Sequence, residues 1–160
     1  MEYRHTQFST VIIFAVGIVV AAILVRFLIN GSIHPIEAGV GILLLITLFL
    51  FASLTVEIKY GSVICRFGPG LVRKKIKLSD VTDVRPVTNP WLAGWGIRWI
   101  PSRYMLWNVS GFQAVELTLT NGKKFRIGTD EPKSLVQAIQ INKTTDTNGS
   151  QEKSFSVRQN

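Results

Sequence analysis

The chain has 160 residues, room for one domain and a little more. Hydrophobic residues make up 47% of it and the formal net charge is +8. One cysteine excludes an internal disulfide framework, and the two histidines, His5 and His34, have no Cys or carboxylate partner at metal-ligand spacing.

The first element is an apolar run from Phe8 to Ile29, broken only by Arg26. A second run, Ala38 to Val56, carries no charge. Each approaches the roughly 20 residues that a helix needs to cross a hydrocarbon core of about 30 Å. Neither has the polar stripe of a soluble helix. The length of the first run and the second span behind it argue against a cleaved signal peptide. The connector "NGSIHPIE" holds Asn-Gly and Pro35, both turn formers, and is too short for a domain. The expectation is a membrane helical hairpin over residues 1–55, with spans at about 8–29 and 38–55. Gly17 and Ala21 have the small-xxx-small spacing that permits close helix contact. Lys59, Arg66, Arg73, Lys74 and Lys75 follow the second span, while the connector offers only Arg26 set against Glu37. The positive-inside rule then puts both termini in the cytoplasm, as in a multi-pass inner-membrane protein.

From Thr55 the period becomes two. "TVEIKYGSVICRF" predicts a hairpin with Gly61-Ser62 at the centre of its turn, pairing Ile58 with Cys65 and Val56 with Phe67. "GPG" (68–70) makes the next corner. In "LVRKKIKL", Val72, Ile76 and Leu78 share one face and Arg73, Lys75 and Lys77 the other. "VTDVRPV" suits an edge strand because of Pro86. Asp80 and Asp83, near Lys77 and Arg85, suit surface ion pairs.

The segment "NPWLAGWGIRW" holds three of the four tryptophans, and Trp107 follows. Trp91, Trp95 and Trp99 recur every four residues, but Pro90, Gly94, Gly96 and Pro101 limit any helix to one turn. Three readings stay open for the segment: fold packing, a membrane-interface belt with Arg98 and Arg103 facing phosphates, or a binding groove. Trp107, in the alternating "YMLWNV", suits the core.

Further on, "AVELTLT" and "KKFRI" form a hairpin. Only a three-residue loop, Thr120 to Gly122, pairs Leu117 with Phe125 and Val115 with Ile127 in phase, leaving Gly122 left-handed. "DEPKSLVQAIQI" predicts a short amphipathic helix with Pro132 in its first turn. Residues 142–160 are polar and suit a flexible tail.

Six or seven antiparallel strands in a partly open barrel, capped by one C-terminal helix over residues 56–141, is the architecture of a pleckstrin-homology (PH) domain. "RFGPGLVRKKIKLSDV", "NPWLAGWGIR", "NVSGFQAVELTLTNGKKFRIGTDEP" and "LVQAIQ" resemble the small bacterial membrane proteins that carry a PH-like domain behind a helical hairpin. The similarity covers most of residues 54–140. It implies a fold and a membrane address rather than a ligand. Eukaryotic namesakes often bind phosphoinositides around the first β-hairpin, but here that hairpin offers only Lys59 and Arg66, so this role does not carry over.

No P-loop, catalytic constellation or acidic residue within a span is present, so the expectation is a protein that is not an enzyme and takes no cofactor. Residues 56–141 hold 13 Lys/Arg against six Asp/Glu. Beside an anionic leaflet this favours lipid headgroups over nucleic acid as a partner, each cation contributing on the order of 1 kcal/mol. The expected function is a membrane-anchored binding or scaffold module at the cytoplasmic leaflet. It would contact anionic headgroups or another membrane protein through Trp91, Trp95, Arg98, Trp99, Arg103, Arg73, Lys75 and Lys77. The alternative is a small accessory subunit that joins a larger membrane complex through its hairpin.

Overall fold

The computed structural model describes residues 2–101 and 103–157, with side chains through Thr144. It opens with a strand that the sequence pattern hides, β1 (Tyr3–Phe8). Ser9 caps the first helix, α1 (Thr10–Asn30), its Oγ accepting from the Ile12 amide. Gly31, left-handed at φ 69°, ends the helix. The second helix, α2 (Pro35–Phe51), starts with a capping box between His34 and Glu37 and with Pro35 in its first turn. Arg26 and Glu37 form an ion pair beside the connector.

α1 has 21 residues, an 18-residue stretch of it has a mean hydropathy of 2.9, and it is long and apolar enough to cross a membrane. At 1.5 Å per residue it spans about 32 Å. α2 has 17 residues and is shorter than the span expected over 38–55, because the chain turns into strand at Ser53. The helices touch through Gly41, whose position faces the Ile23 side chain, whereas nothing lies near Gly17. The small-xxx-small spacing at Gly17 and Ala21 is therefore not the contact.

No flexible linker separates helices from sheet. The Ser9 amide donates to the Ala52 carbonyl at 2.7 Å, so the chain leaves and re-enters the sheet at adjacent points. β2 (Ser53–Lys59) pairs with β1 along its length, from Tyr3↔Ile58 to Phe8↔Ser53. β3 (Ser62–Phe67) and β4 (Val72–Lys77) complete a four-stranded antiparallel sheet in the order β1-β2-β3-β4. The β2–β3 register differs from expectation by two residues: Val56 faces Cys65, Ile58 faces Val63 and Leu54 faces Phe67. The turn is Tyr60-Gly61, both left-handed (φ 50° and 63°), which is a type I′ geometry that follows the strand twist. The apolar faces still coincide because the slip is even.

A short 3-10 turn leads to β5 (Val81–Thr88), an edge strand as Pro86 suggested. One 3-10 turn at Trp91–Ala93 precedes β6 (Gly96–Ile100) and β7 (Tyr104–Asn108). β8 (Gln113–Leu119) and β9 (Lys124–Gly128) form the hairpin with the predicted register, Leu117↔Phe125 and Val115↔Ile127, and Gly122 sits at φ 76°. The second sheet runs β5-β8-β9-β7-β6. Among the described residues there are thus nine strands, and eight of them, β2 to β9, belong to the domain expected to have six or seven. One pair, β7 and β9, is parallel, since the β8–β9 hairpin returns β9 in the direction of β7. α3 (Pro132–Val157) packs on β5 and β8. His5 Nε2 meets Asp130 Oδ1 at 2.6 Å just before it. The polar segment expected as a tail is helical as far as Val157.

Between the sheets lies one core that includes Val56, Ile58, Phe67, Leu117, Ile127 and, from α3, Leu135 and Ile139. Trp107 joins it, its ring 5.1 Å from Phe67 and 5.9 Å from Phe125. Cys65 is fully buried there, and burial pushes its thiol up to about 12 against the opposing charge of Lys74. A maleimide at pH 8 is expected to leave Cys65 unlabelled in the folded protein and to label it fully in denaturant, as read by mass spectrometry. Rapid native labelling would contradict this packing.

A basic cleft and a separate apolar end

The strand directions divide the second sheet into two ends. Thr88, Gln113, Gly96, Asn108 and Gly128 terminate or start their strands at one end. The helices leave the sheet at this same end: Ser9 Oγ donates to the Val109 carbonyl at 2.7 Å, and Gln7 Nε2 donates to Ser110 at 3.2 Å. The Asn89 amide, donating to the Phe112 carbonyl at 2.7 Å, carries the Trp91 turn to this end as well. Trp91 and Leu92 are 75% and 72% exposed. Leu71, 77% exposed, follows the Gly68 corner that touches the last turn of α2. Trp95 is half-buried, its ring 6.4 Å from Phe112 and its Nε1 without a hydrogen-bond partner among the described residues.

The other end holds a cleft of about 610 Å³ between the β4 edge of the first sheet and the β6–β7 edge of the second. Its apolar walls are Trp99, Ile100, Met105, Leu119 and Phe125. Lys74, Arg103, Lys123 and Lys124 supply four cations, and no carboxylate among the described residues lines it. Lys74 enters from the core-facing side of β4. The alternation that buries Ile76 also turns Lys74 inward, and its Nζ lies 5.5 Å over the Phe125 ring. Arg103 comes from the β6–β7 turn and Lys123 from the β8–β9 turn. β8 spans the two ends with seven residues, about 20 Å at the usual rise.

Beside the cleft, on the outer face of the second sheet, Glu116 is fully buried. Arg85 donates twice to its Oε1, at 2.6 and 3.1 Å, and Arg126 Nε donates to Oε2 at 2.7 Å. Lys124 Nζ stands 3.6 Å from Oε1. Arg126 also donates to Asn89 Oδ1 at 3.1 Å and stacks over Tyr104, 3.6 Å from the ring centroid. Burial alone would raise the Glu116 pKa, but the hydrogen bonds from Arg85 and Arg126, with the Arg126 and Lys124 charges, hold it below the usual carboxylate value.

The expected surface residues therefore do not form one patch. Trp91 lies at the helix end, Trp99 and Arg103 lie at the cleft, and Arg98 is exposed on the face of β6 opposite Trp99. Arg73, Lys75 and Lys77 project from the outer face of β4, away from the cleft. With Trp91 and Trp99 each 75% exposed, the fold-packing reading fails for both, while it holds for Trp107. Arg85 pairs with Glu116, not with an aspartate. Lys59 and Arg66 of the first hairpin both stand beside Glu57, at 3.6 and 3.4 Å, which leaves that hairpin a poor anion site. Sequence reasoning missed Lys74 and Glu116, although the strict alternation of β4 carried the signal for Lys74. Compared with protein-family models and with curated proteins, the chain matches none of them.

Proposed function

We propose that the chain is a membrane-anchored, non-catalytic binding module. In this reading a PH-like domain is held at the cytoplasmic leaflet of the inner membrane by the two helices, and its helix end rests in the headgroup layer. The observation that carries this is the exposed apolar group Trp91, Leu92 and Leu71 at the end where α1 and α2 leave the sheet. Trp favours the interface because its ring is apolar and its N–H is polar. Supporting it, β1 precedes α1 and β2 follows α2, yet the two strands are hydrogen-bonded along their length. Any boundary that α1 crosses must therefore be recrossed by α2. The excess of Lys and Arg in the domain favours the cytoplasmic side.

The test is quenching of tryptophan fluorescence by lipids brominated at defined acyl positions, on the full chain in nanodiscs. Shallow bromines are expected to quench the wild type most. Trp91→Phe is expected to remove the largest share of that quenching, and Trp99→Phe to remove little. Equal quenching in Trp91→Phe and the wild type would overturn the seated orientation.

A further inference from the structure

We infer that the cleft at the far end of the domain is a binding site for a soluble phosphorylated small molecule that carries a planar ring, with a nucleoside diphosphate as its simplest representative. The first argument is charge. Lys74 of β4, Arg103 of the β6–β7 turn, and Lys123 and Lys124 of the β8–β9 hairpin converge on one cavity, and no acidic residue among the described ones lines it. Lys124 shares the Glu116 carboxylate, but Lys74, Arg103 and Lys123 make no ion pair among the described residues. Like charges that line one cavity repel, so an uncompensated group of this kind is stabilised by an anion of matching charge. An inward lysine on an edge strand also protects that edge from pairing with another chain. That accounts for Lys74 alone, because Arg103 and Lys123 lie on turns.

The second argument is shape and surface. About 610 Å³ falls within the range of small-molecule pockets, roughly 300–1,000 Å³. One wall is Trp99, whose ring is largely solvent-exposed and makes no ring contact among the described residues. Tyr104 already has a guanidinium, that of Arg126, stacked on it. Trp99 is thus the free aromatic surface beside the cations, suited to stacking a flat ring while the phosphates meet Lys74, Arg103 and Lys123. The third argument is direction. The cleft lies about 20 Å along β8 from the end where the helices leave. A ligand from the aqueous side reaches it more readily than a headgroup of the leaflet that holds the helices. Only this last argument depends on the seated orientation proposed above.

The experiment is calorimetric titration of the full chain in neutral detergent micelles at low ionic strength, with ADP, inorganic pyrophosphate and adenosine as probes. ADP is expected to bind about tenfold more tightly than pyrophosphate, the share that stacking supplies. Adenosine alone is expected to give no measurable heat. Trp99→Ala should bring ADP down to the pyrophosphate affinity and leave pyrophosphate unchanged. Arg103→Ala with Lys123→Ala should weaken both anions at least tenfold. All three side chains lie in the cleft rather than the core, and an unchanged melting temperature confirms that each variant folds. Absence of saturable binding by either anion, or unchanged binding in the double variant, overturns the site. Equal affinity for ADP and pyrophosphate overturns the ring. The same titration in nanodiscs of neutral lipid and of lipid rich in anionic headgroups separates the sources. Unchanged ADP affinity supports a soluble ligand, and competition by the anionic headgroups overturns it in favour of lipid. The micelle titration involves no bilayer, so a failure of Trp91 to seat in lipid leaves its outcome untouched.

Discussion

Glu116→Ala is expected to cost the folded domain about 3–5 kcal/mol, the range for removing one partner of a buried ion pair. The reason lies in what remains. Arg126 is 15% exposed and hydrogen-bonded to Asn89, so it cannot swing into water when its carboxylate disappears. Arg85 is 53% exposed and simply rehydrates. Arg85→Ala is therefore expected to cost far less than Glu116→Ala, in the manner of a surface pair. Glu116→Gln keeps the shape and part of the hydrogen bonding, and should fall between the two. Chemical denaturation of the full chain in micelles reads all three. Equal losses for Glu116→Ala and Arg85→Ala would refute the network as drawn. The sign of the pH dependence follows from the depressed pKa of Glu116. A group whose folded pKa is lowered stabilises fully above its unfolded value, near 4.5 here, and the contribution is lost as the pH falls through the folded value. The gap between wild type and Glu116→Gln should thus be constant at neutral pH and close in acid below about 4.5.

The second large effect is expected at Gly68. Its φ is +45°, and a Cβ there would stand 2.5 Å from the Phe49 carbonyl oxygen and 2.7 Å from that of Leu50. Both are backbone atoms of the last turn of α2, so no side-chain rotation relieves the contact. Gly68→Ala combines left-handed strain of about 1–2 kcal/mol with an overpacking cost of about 1–3 kcal/mol. The expected loss is about 2–5 kcal/mol, with faster amide exchange around residues 49–53 as the helix end is pushed off. Gly70→Ala is the control. It is also left-handed, at φ 94°, but would meet only the Arg66 side chain, at 3.6 Å. It should cost the strain alone. If the two variants lose equally, the helix end does not press on the corner.

The parts of the fold that were legible in the sequence were those where the apolar pattern admits one answer. The β8–β9 loop had to be three residues long, since any odd slip would turn Leu117 and Phe125 outward. The β2–β3 register was not fixed in this way. A slip of two keeps the same faces, and the choice fell to Tyr60, a residue that seldom takes a positive φ. β1 was hidden because "YRHTQF" mixes polar and aromatic residues and its Phe8 merges into the apolar run that follows. The cleft was half legible. Trp99 and Arg103 stand out by type, but Lys74 sat within a basic run, and its inward direction rests on parity with Ile76. Glu116 alternates with Val115 and Leu117 as a solvated residue would, and only the side chains from β5 and β9 that cover it make it buried.

The pairing of β1 with β2 sets an order of events during synthesis. β1 is made before β2, and this pairing cannot form until both helices and Ser53–Lys59 have followed, some 50 residues later. Until then its backbone groups remain a bare edge, and the sheet can take on its fourth member only after the helical pair has doubled back. β1 thus serves as a latch that cannot close before the helical pair has formed, and a chain whose second helix failed to return would be left with the three strands β2-β3-β4 and a bare β2 edge.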